Sequence, residues 1–315
     1  MYIENASLRR EFRRSITELI IKRALGESKA FQELKKTPVK ELLLAQRIFR
    51  KLVHILERNI PAEDKNYIYR NLNLTKDMHY YNIPIANLGA EIKRVENGYS
   101  VEVSCPINGE IKTITFYLVY NPPGDFHCSS SYYNDKIYLP VIDDKTKQLD
   151  RDAITDIFTA PEVVIHEIVH WLTDISGEST PPPAESTLKD YYNRPEEIKS
   201  FTRQIMYTIR NGAIKTSDLD AYIKYFMDKE NIEKHIEHTI GDMGCYLSRE
   251  LAAYSSCAVM DFWYNLTKEN REKVVKEISD NMEKLLKSIK QKKKKLECSP
   301  EIFDLFDEFL LVEDF

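Results

Sequence analysis

The apolar positions along this chain change period twice. In residues 38–58, Leu42, Ala45, Phe49, Leu52 and Leu56 recur at steps of three and four among Lys and Arg, the spacing of one buried helix face. Thr37 and Pro38 suit the cap and first position of that helix. Residues 5–35 read as a further helical stretch broken at Gly26, and Pro61-Ala62-Glu63-Asp64-Lys65 marks a break after the arm. From residue 88 the alternation becomes that of strands. Residues 90–95 and 99–103 flank Asn97-Gly98, and a second Asn108-Gly109 leads into residues 111–120. Asn-Gly between alternating runs signals a tight hairpin, so three strands in an antiparallel meander are expected. A short strand at residues 136–140 follows.

After residue 160 the helical period returns and stays. Residues 161–177 read P-E-V-V-I-H-E-I-V-H-W-L-T-D-I-S-G. Thr159 and Glu162 form a capping-box pattern, Pro161 suits the first turn, and Gly177 suits the residue just past the end. Ile165, Ile168, Leu172 and Ile175 make its core stripe, flanked by His166 and His170. Further helices are expected at residues 196–210, closed by Asn211-Gly212, at 217–230, at 232–267 and at 270–296. The chain ends in an acidic, aromatic segment whose default role is packing back onto its own domain.

Composition narrows the function classes. A 43% hydrophobic and 30% charged chain of 315 residues is that of a soluble globular protein. The formal charge of −5 gives no reason to expect nucleic-acid binding. Five cysteines without a C-x-x-C pair argue against a disulfide scaffold and against cysteine-ligated zinc. The N-terminus lacks the apolar core of a signal peptide, and no apolar run approaches the roughly 20 residues of a membrane span. The expected location is cytoplasmic, and a protein carried in a virion would look the same.

The chemistry sits at His166-Glu167-Ile168-Val169-His170, an H-E-x-x-H pattern. Four residues apart on a helix, the two imidazoles share a face and can hold one metal ion, with Glu167 leaning over the same point as a base. A zinc site of this kind needs a third protein ligand. Asp174, Glu178, Glu185, Glu196 and Glu197 are the candidates downstream. Asp174 and Glu178 lie on or just beyond the same straight helix and cannot readily return to the metal. The ligand should therefore come from a second helix, at Y-Y-N-R-P-E-E-I-K-S-F. There Asn193 and Glu196 form a capping pattern, and Glu196 shares a face with Lys199 and Arg203, a solvated setting. Glu197 lies beside the Ile198/Phe201/Ile205 stripe, where a carboxylate needs a compensating cation. Glu197 is the expected ligand and Glu196 the reserve.

A helix carrying H-E-x-x-H, followed by a second helix with Glu197-Ile198-Lys199-Ser200, resembles the gluzincins, the thermolysin-like zinc metallopeptidases. Y-Y-N-R-P-E-E-I also resembles small metallopeptidases encoded by phages and bacteria. The likeness covers roughly residues 130–210, with Ser200 where Ala is usual. It implies an α+β, zincin-like domain over residues 61–210, with a small antiparallel sheet and an active-site helix. A helical N-terminal arm (1–60) precedes it and a helical C-terminal region (211–315) follows. His166, His170 and Glu197 are then zinc ligands, Glu167 is the catalytic base, and the substrate is a protein or peptide. The resemblance also implies a strand beside the active helix that pairs with extended substrate, a role that suits residues 131–139. Tyr191, Tyr192, His235 and His238 are available as donors to the oxyanion. His235 and His238, like His127, read as surface histidines before they read as a second metal site. Two other readings are a structural protein, such as a virion component, that keeps the fold without turnover, and a metal-dependent toxin or amidase.

Overall fold

A computed structural model describes residues 37–59, 82–83, 92–96, 98–120, 131–142, 148–150, 153, 161–179, 187–216, 218–246 and 250–297. The expected helix at 5–35, the break after residue 60, Thr159 with its capping box, His127, Glu185 and the acidic tail lie outside these residues, as does the His238 side chain.

The architecture is mixed α+β. The first helix, α1 (Pro38–Asn59), starts at the proline that marks its first position. A five-stranded sheet follows, built of β2 (Ile92–Val95), β3 (Gly98–Ile107), β4 (Glu110–Val119), β5 (Ser131–Tyr133) and β6 (Lys136–Pro140). A two-residue strand β1 (Asn82–Ile83) pairs separately with β7 (Leu149–Asp150). The Asn108-Gly109 turn falls where the alternation places it, and Val95 pairs with Gly98 across the first hairpin. β2, β3 and β4 form the antiparallel meander, and Gly98 stands where a side chain would meet the Leu118 carbonyl oxygen at 2.0 Å.

The sheet is not wholly antiparallel, which corrects the sequence expectation. Its order is β2-β3-β4-β6-β5, with β6 parallel to β4 and β5 antiparallel to β6 at the edge. A parallel pair needs a crossover of a dozen or more residues, and residues 120–135 supply it. Strand alternation puts Val101, Val103, Cys105, Ile114, Phe116 and Leu118 on one buried face. The other face carries the Lys93–Glu102 pair at 2.6 Å and the stacked Tyr117 and Tyr138 rings.

On the buried face lies α2 (Pro161–Ile175), the helix of the motif. Its burial is wider than the expected stripe: Val164, Val169 and Trp171 are buried as well as Ile165, Ile168 and Leu172, because α1, the sheet and a third helix enclose it. Ile175, expected in the core, is 36% exposed at the last turn. Gly177 closes the helix with φ +72°; its N–H donates to the Asp174 carbonyl and that of Glu178 to the Thr173 carbonyl, a Schellman ending.

Short α3 (Leu188–Tyr192) is held by a capping box between Thr187 and Asp190. Then come α4 (Pro195–Lys215), α5 (Leu219–Phe226), α6 (Lys229–Tyr246), α7 (Glu250–Asn265) and α8 (Lys268–Glu297). Two sequence expectations fail here. α4 runs through Asn211-Gly212 instead of stopping: Gly212 is in the helix because Tyr222 of α5 packs there, its hydroxyl 2.2 Å from where a Cβ would sit, donating to the Ile209 carbonyl at 2.8 Å. The single helix expected over 232–267 is two, α6 and α7. One hydrophobic core runs from α1 through the sheet to α8.

Candidate metal centre

α2 and α4 pack against each other antiparallel, since His166 meets Gln204 while His170 meets Glu197. The i, i+4 spacing brings His166 Nε2 and His170 Nε2 to 3.0 Å from each other. Glu197 Oε2 lies 3.6 Å from the first and 3.5 Å from the second. Three atoms each bonded to one tetrahedral metal at 2.0–2.1 Å would stand about 3.3–3.4 Å apart. The observed triangle matches that edge. Glu197 Oε2 is also buried without a hydrogen-bond partner, an arrangement that costs several kcal/mol in a carboxylate unless a cation compensates. His166, His170 and Glu197 are the one group among the described residues whose donor atoms converge in this way.

The surroundings order the ligands. The buried Gln204 side-chain oxygen stands 3.1 Å from His166 Nδ1; as an acceptor it keeps the ring proton on Nδ1, which leaves Nε2 free as a ligand. Phe201 sits edge-on against the His166 ring at 4.4 Å and is itself stacked on Phe262 at 4.3 Å. Burial raises the Glu197 carboxyl, but the close contacts with His170 and His166 outweigh it, and the group is held well below the ordinary carboxylate range.

Glu167 projects beside this triangle. Burial pushes its carboxyl up to about 7; His166 opposes the rise, Glu197 adds to it, and the Tyr132 peptide N–H, turned toward it, opposes it again. A carboxyl group near neutrality is suited to taking and returning a proton. Tyr191, on α3, lies near both carboxylates. Burial together with the Glu197 and Glu167 charges raises its pKa strongly, so it keeps its phenolic proton.

Other candidates fall elsewhere. Asp174 accepts from Tyr132 and Ser179, and Glu178 pairs with Lys199 at 2.9 Å. Glu196 points to the Arg194 side, 3.9 Å away. The expected reason for setting it aside needs correction: Glu196 and Arg203 are buried, not solvated, and Asn193 does not cap α4, whose N-cap is Arg194. Asn193 instead ties α3 to the last helices through the Asn265 carbonyl, the Thr267 N–H and Asn270. Tyr192 is core, packed on Phe201 and Phe262. His235 packs edge-on against Phe226, where burial lowers its pKa to about 4.

Strand β5 borders the site and is the edge of the sheet among the described residues. Asn134 and Asp135, both at positive φ, make a two-residue turn between Tyr133 and Lys136. The closing pair of such a turn is hydrogen-bonded, so the next residue, Tyr132, turns its N–H and C=O away from β6. That outward N–H is the one that reaches Glu167. The outward backbone of β5 at Tyr132 therefore faces the Glu167 side of α2.

Gln204 was not among the sequence candidates, and Tyr132 was one only as part of the substrate-pairing strand expected at residues 131–139. Gln204 lies seven residues after Glu197, on the same face of α4, and that spacing is a usable signal. Tyr132 has no local signal, since its place depends on β6 inserting between β4 and β5. Comparisons of this chain with protein-family models, with curated proteins and with solved structures return no match. No helix among the described residues is long and apolar enough to cross a membrane.

Proposed function

We propose that this chain is a zinc-dependent metallopeptidase of the gluzincin type on a zincin-like fold, hydrolysing peptide bonds in a protein or peptide substrate. The observation that carries the proposal is the triangle of His166 Nε2, His170 Nε2 and Glu197 Oε2 at tetrahedral spacing, with Glu167 beside it. Two neutral imidazoles and one carboxylate are a catalytic zinc set that leaves a coordination position open. Zinc, when bound, supplies an acidified water and polarises the substrate carbonyl.

This chain's own residues do the rest. Glu167 accepts the proton of the attacking water on its carboxylate and passes it to the leaving amine. Tyr191 keeps its phenolic proton near Glu197 and Glu167, so it is the donor assigned to the developing oxyanion. The outward carbonyl of Tyr132 on β5 accepts from an extended peptide laid along that strand, a contact that reads main chain over side chain.

The test has three parts. Protein purified without added zinc should carry close to one zinc per chain, and an absence of metal overturns the reading. Glu197→Ala should lose the metal while Glu196→Ala keeps it. Glu167→Gln should keep the metal while cleavage of unfolded protein falls by about 10²–10⁴. Metal retained with no cleavage by the parent protein would favour a non-catalytic role.

A further inference from the structure

We propose that Tyr132 is a positioning residue that orders the His170 ring and the Glu167 carboxylate together, an inference that rests on the metal reading above. Three features of this one residue converge on the site. Its hydroxyl donates to Asp174 Oδ2 at 2.5 Å, with Asp135 Oδ1 3.1 Å away. Asp174 is itself fixed, because Ser179 Oγ donates to its other oxygen at 2.5 Å. The phenol ring pinned in this way lies parallel to the His170 imidazole, at 4° and 6.4 Å between centroids. Its peptide N–H turns away from β6 and toward the Glu167 carboxylate.

The arrangement gives Tyr132 a role beyond attaching an edge strand. Asp174 is one turn after His170 on α2, so the Tyr132–Asp174 bond closes a loop from the strand to the helix and back to the ligand. The His166 ring has Gln204 and Phe201 to set its angle. For His170 the parallel Tyr132 ring is the corresponding restraint. A peptide that pairs with β5 would touch the residue that orders both a ligand and the base.

Cobalt(II) titration of the full chain without substrate tests this, since cobalt absorption reports ligand geometry and the titration reports affinity. Tyr132→Ala should bind cobalt about 10- to 100-fold more weakly, the range for partners that orient metal ligands, and should show a changed band at saturation. Tyr132→Phe keeps the ring and should lose only roughly threefold, below that range. Asp174→Ala should match Tyr132→Phe, and the double variant should be no worse than either. Thermal melting separates ordering from mere attachment. A variant that melts lower but binds cobalt with the parent affinity and band overturns the inference. If Tyr132→Ala does not fold, Tyr132→Leu, which keeps apolar contact without an aromatic face, decides by the same criteria. A parent protein without a cobalt band overturns the metal reading and this inference with it.

Discussion

Replacing Glu167 with Gln, in protein kept free of metal by a chelator, should raise stability in alkali and leave it unchanged in acid. Burial moves the Glu167 carboxyl from an ordinary 4.5 to about 7. In acid the group is protonated in folded and unfolded chains alike, and the shift has no consequence. As pH rises past about 4.5 the unfolded chain ionises while the folded chain cannot follow until about 7. The stability is thus fully present below the unfolded value and lost as pH climbs through the folded one. Each unit of offset is worth about 1.4 kcal/mol. The folded state should therefore lose about 3 kcal/mol between roughly pH 4 and pH 8.5.

Gln cannot ionise, and its side-chain oxygen still faces the Tyr132 N–H. Urea unfolding followed by tryptophan fluorescence, at several pH values across that window, gives the stability of each protein. The quantity to read is the difference between Glu167→Gln and the parent, which removes the titration of other groups to first order. That difference should be near zero at the acid end and grow to about 3 kcal/mol at the alkaline end. Curves that stay parallel across the window would mean that Glu167 titrates as an ordinary surface carboxylate, and the reasoning about its tuning would fail. Zinc should shrink the alkaline difference, because a cation next to Glu167 favours the carboxylate.

Gln204→Leu removes the acceptor from His166 Nδ1 and should weaken metal affinity by about 10- to 100-fold, read by competition with a chromogenic chelator. Gly212→Ala should destabilise by roughly 1–2 kcal/mol in a thermal melt, since the added Cβ displaces the Tyr222 hydroxyl, although an alanine normally gains about 1 kcal/mol in a helix. In a Tyr222→Ala background the same change should stabilise, and failure to reverse sign would refute the packing explanation. Arg203→Ala removes the 2.9 Å partner of Glu41 and the 2.6 Å partner of Glu277 but leaves Glu41 its 2.7 Å pair with Lys199, so it should cost about 1–3 kcal/mol in urea unfolding, less than the loss of a sole partner in a buried pair.

The parts of the site legible in the sequence are those set by neighbours in the chain. His166, Glu167 and His170 are positioned by one helix, and Gly177 ends it through backbone bonds that span six residues. Glu197 was also legible, though for a partly mistaken reason. Glu196 and Glu197 are both buried, at 5% and 4% exposure, so burial does not tell them apart; direction around α4 does. What stayed hidden depends on partners distant in sequence. The parallel β4–β6 pair, the Tyr222 contact that keeps Gly212 inside a helix, and the stack of Tyr132 on His170 each join segments whose local patterns are ordinary. Ile175 shows the converse, a residue with the right spacing for the core that stands 36% exposed, with none of the described elements burying the last turn.

The two faces of α4 explain why a ligand from a separate helix can be held to a fraction of an ångström. Glu197, Phe201 and Gln204 face α2 and carry the ligand, the ring against His166 and the acceptor to His166. Lys199 and Arg203 lie on the opposite face. Lys199 pairs with Glu41 of α1 at 2.7 Å and with Glu178 beyond α2 at 2.9 Å; Arg203 pairs with Glu41 and, at 2.6 Å, with Glu277 of α8. Buried ion pairs are poor sources of net stability, because desolvation offsets much of their attraction. They are demanding about geometry, however, since a slip of α4 along or around its axis would separate charges that are buried together. A one-residue rotation that moved Glu197 off the histidines would also strand Arg203 and Glu41. The back face of α4 thus sets the register that the front face needs, and α1 and α8, which carry no site residue, have a part in the metal centre through it.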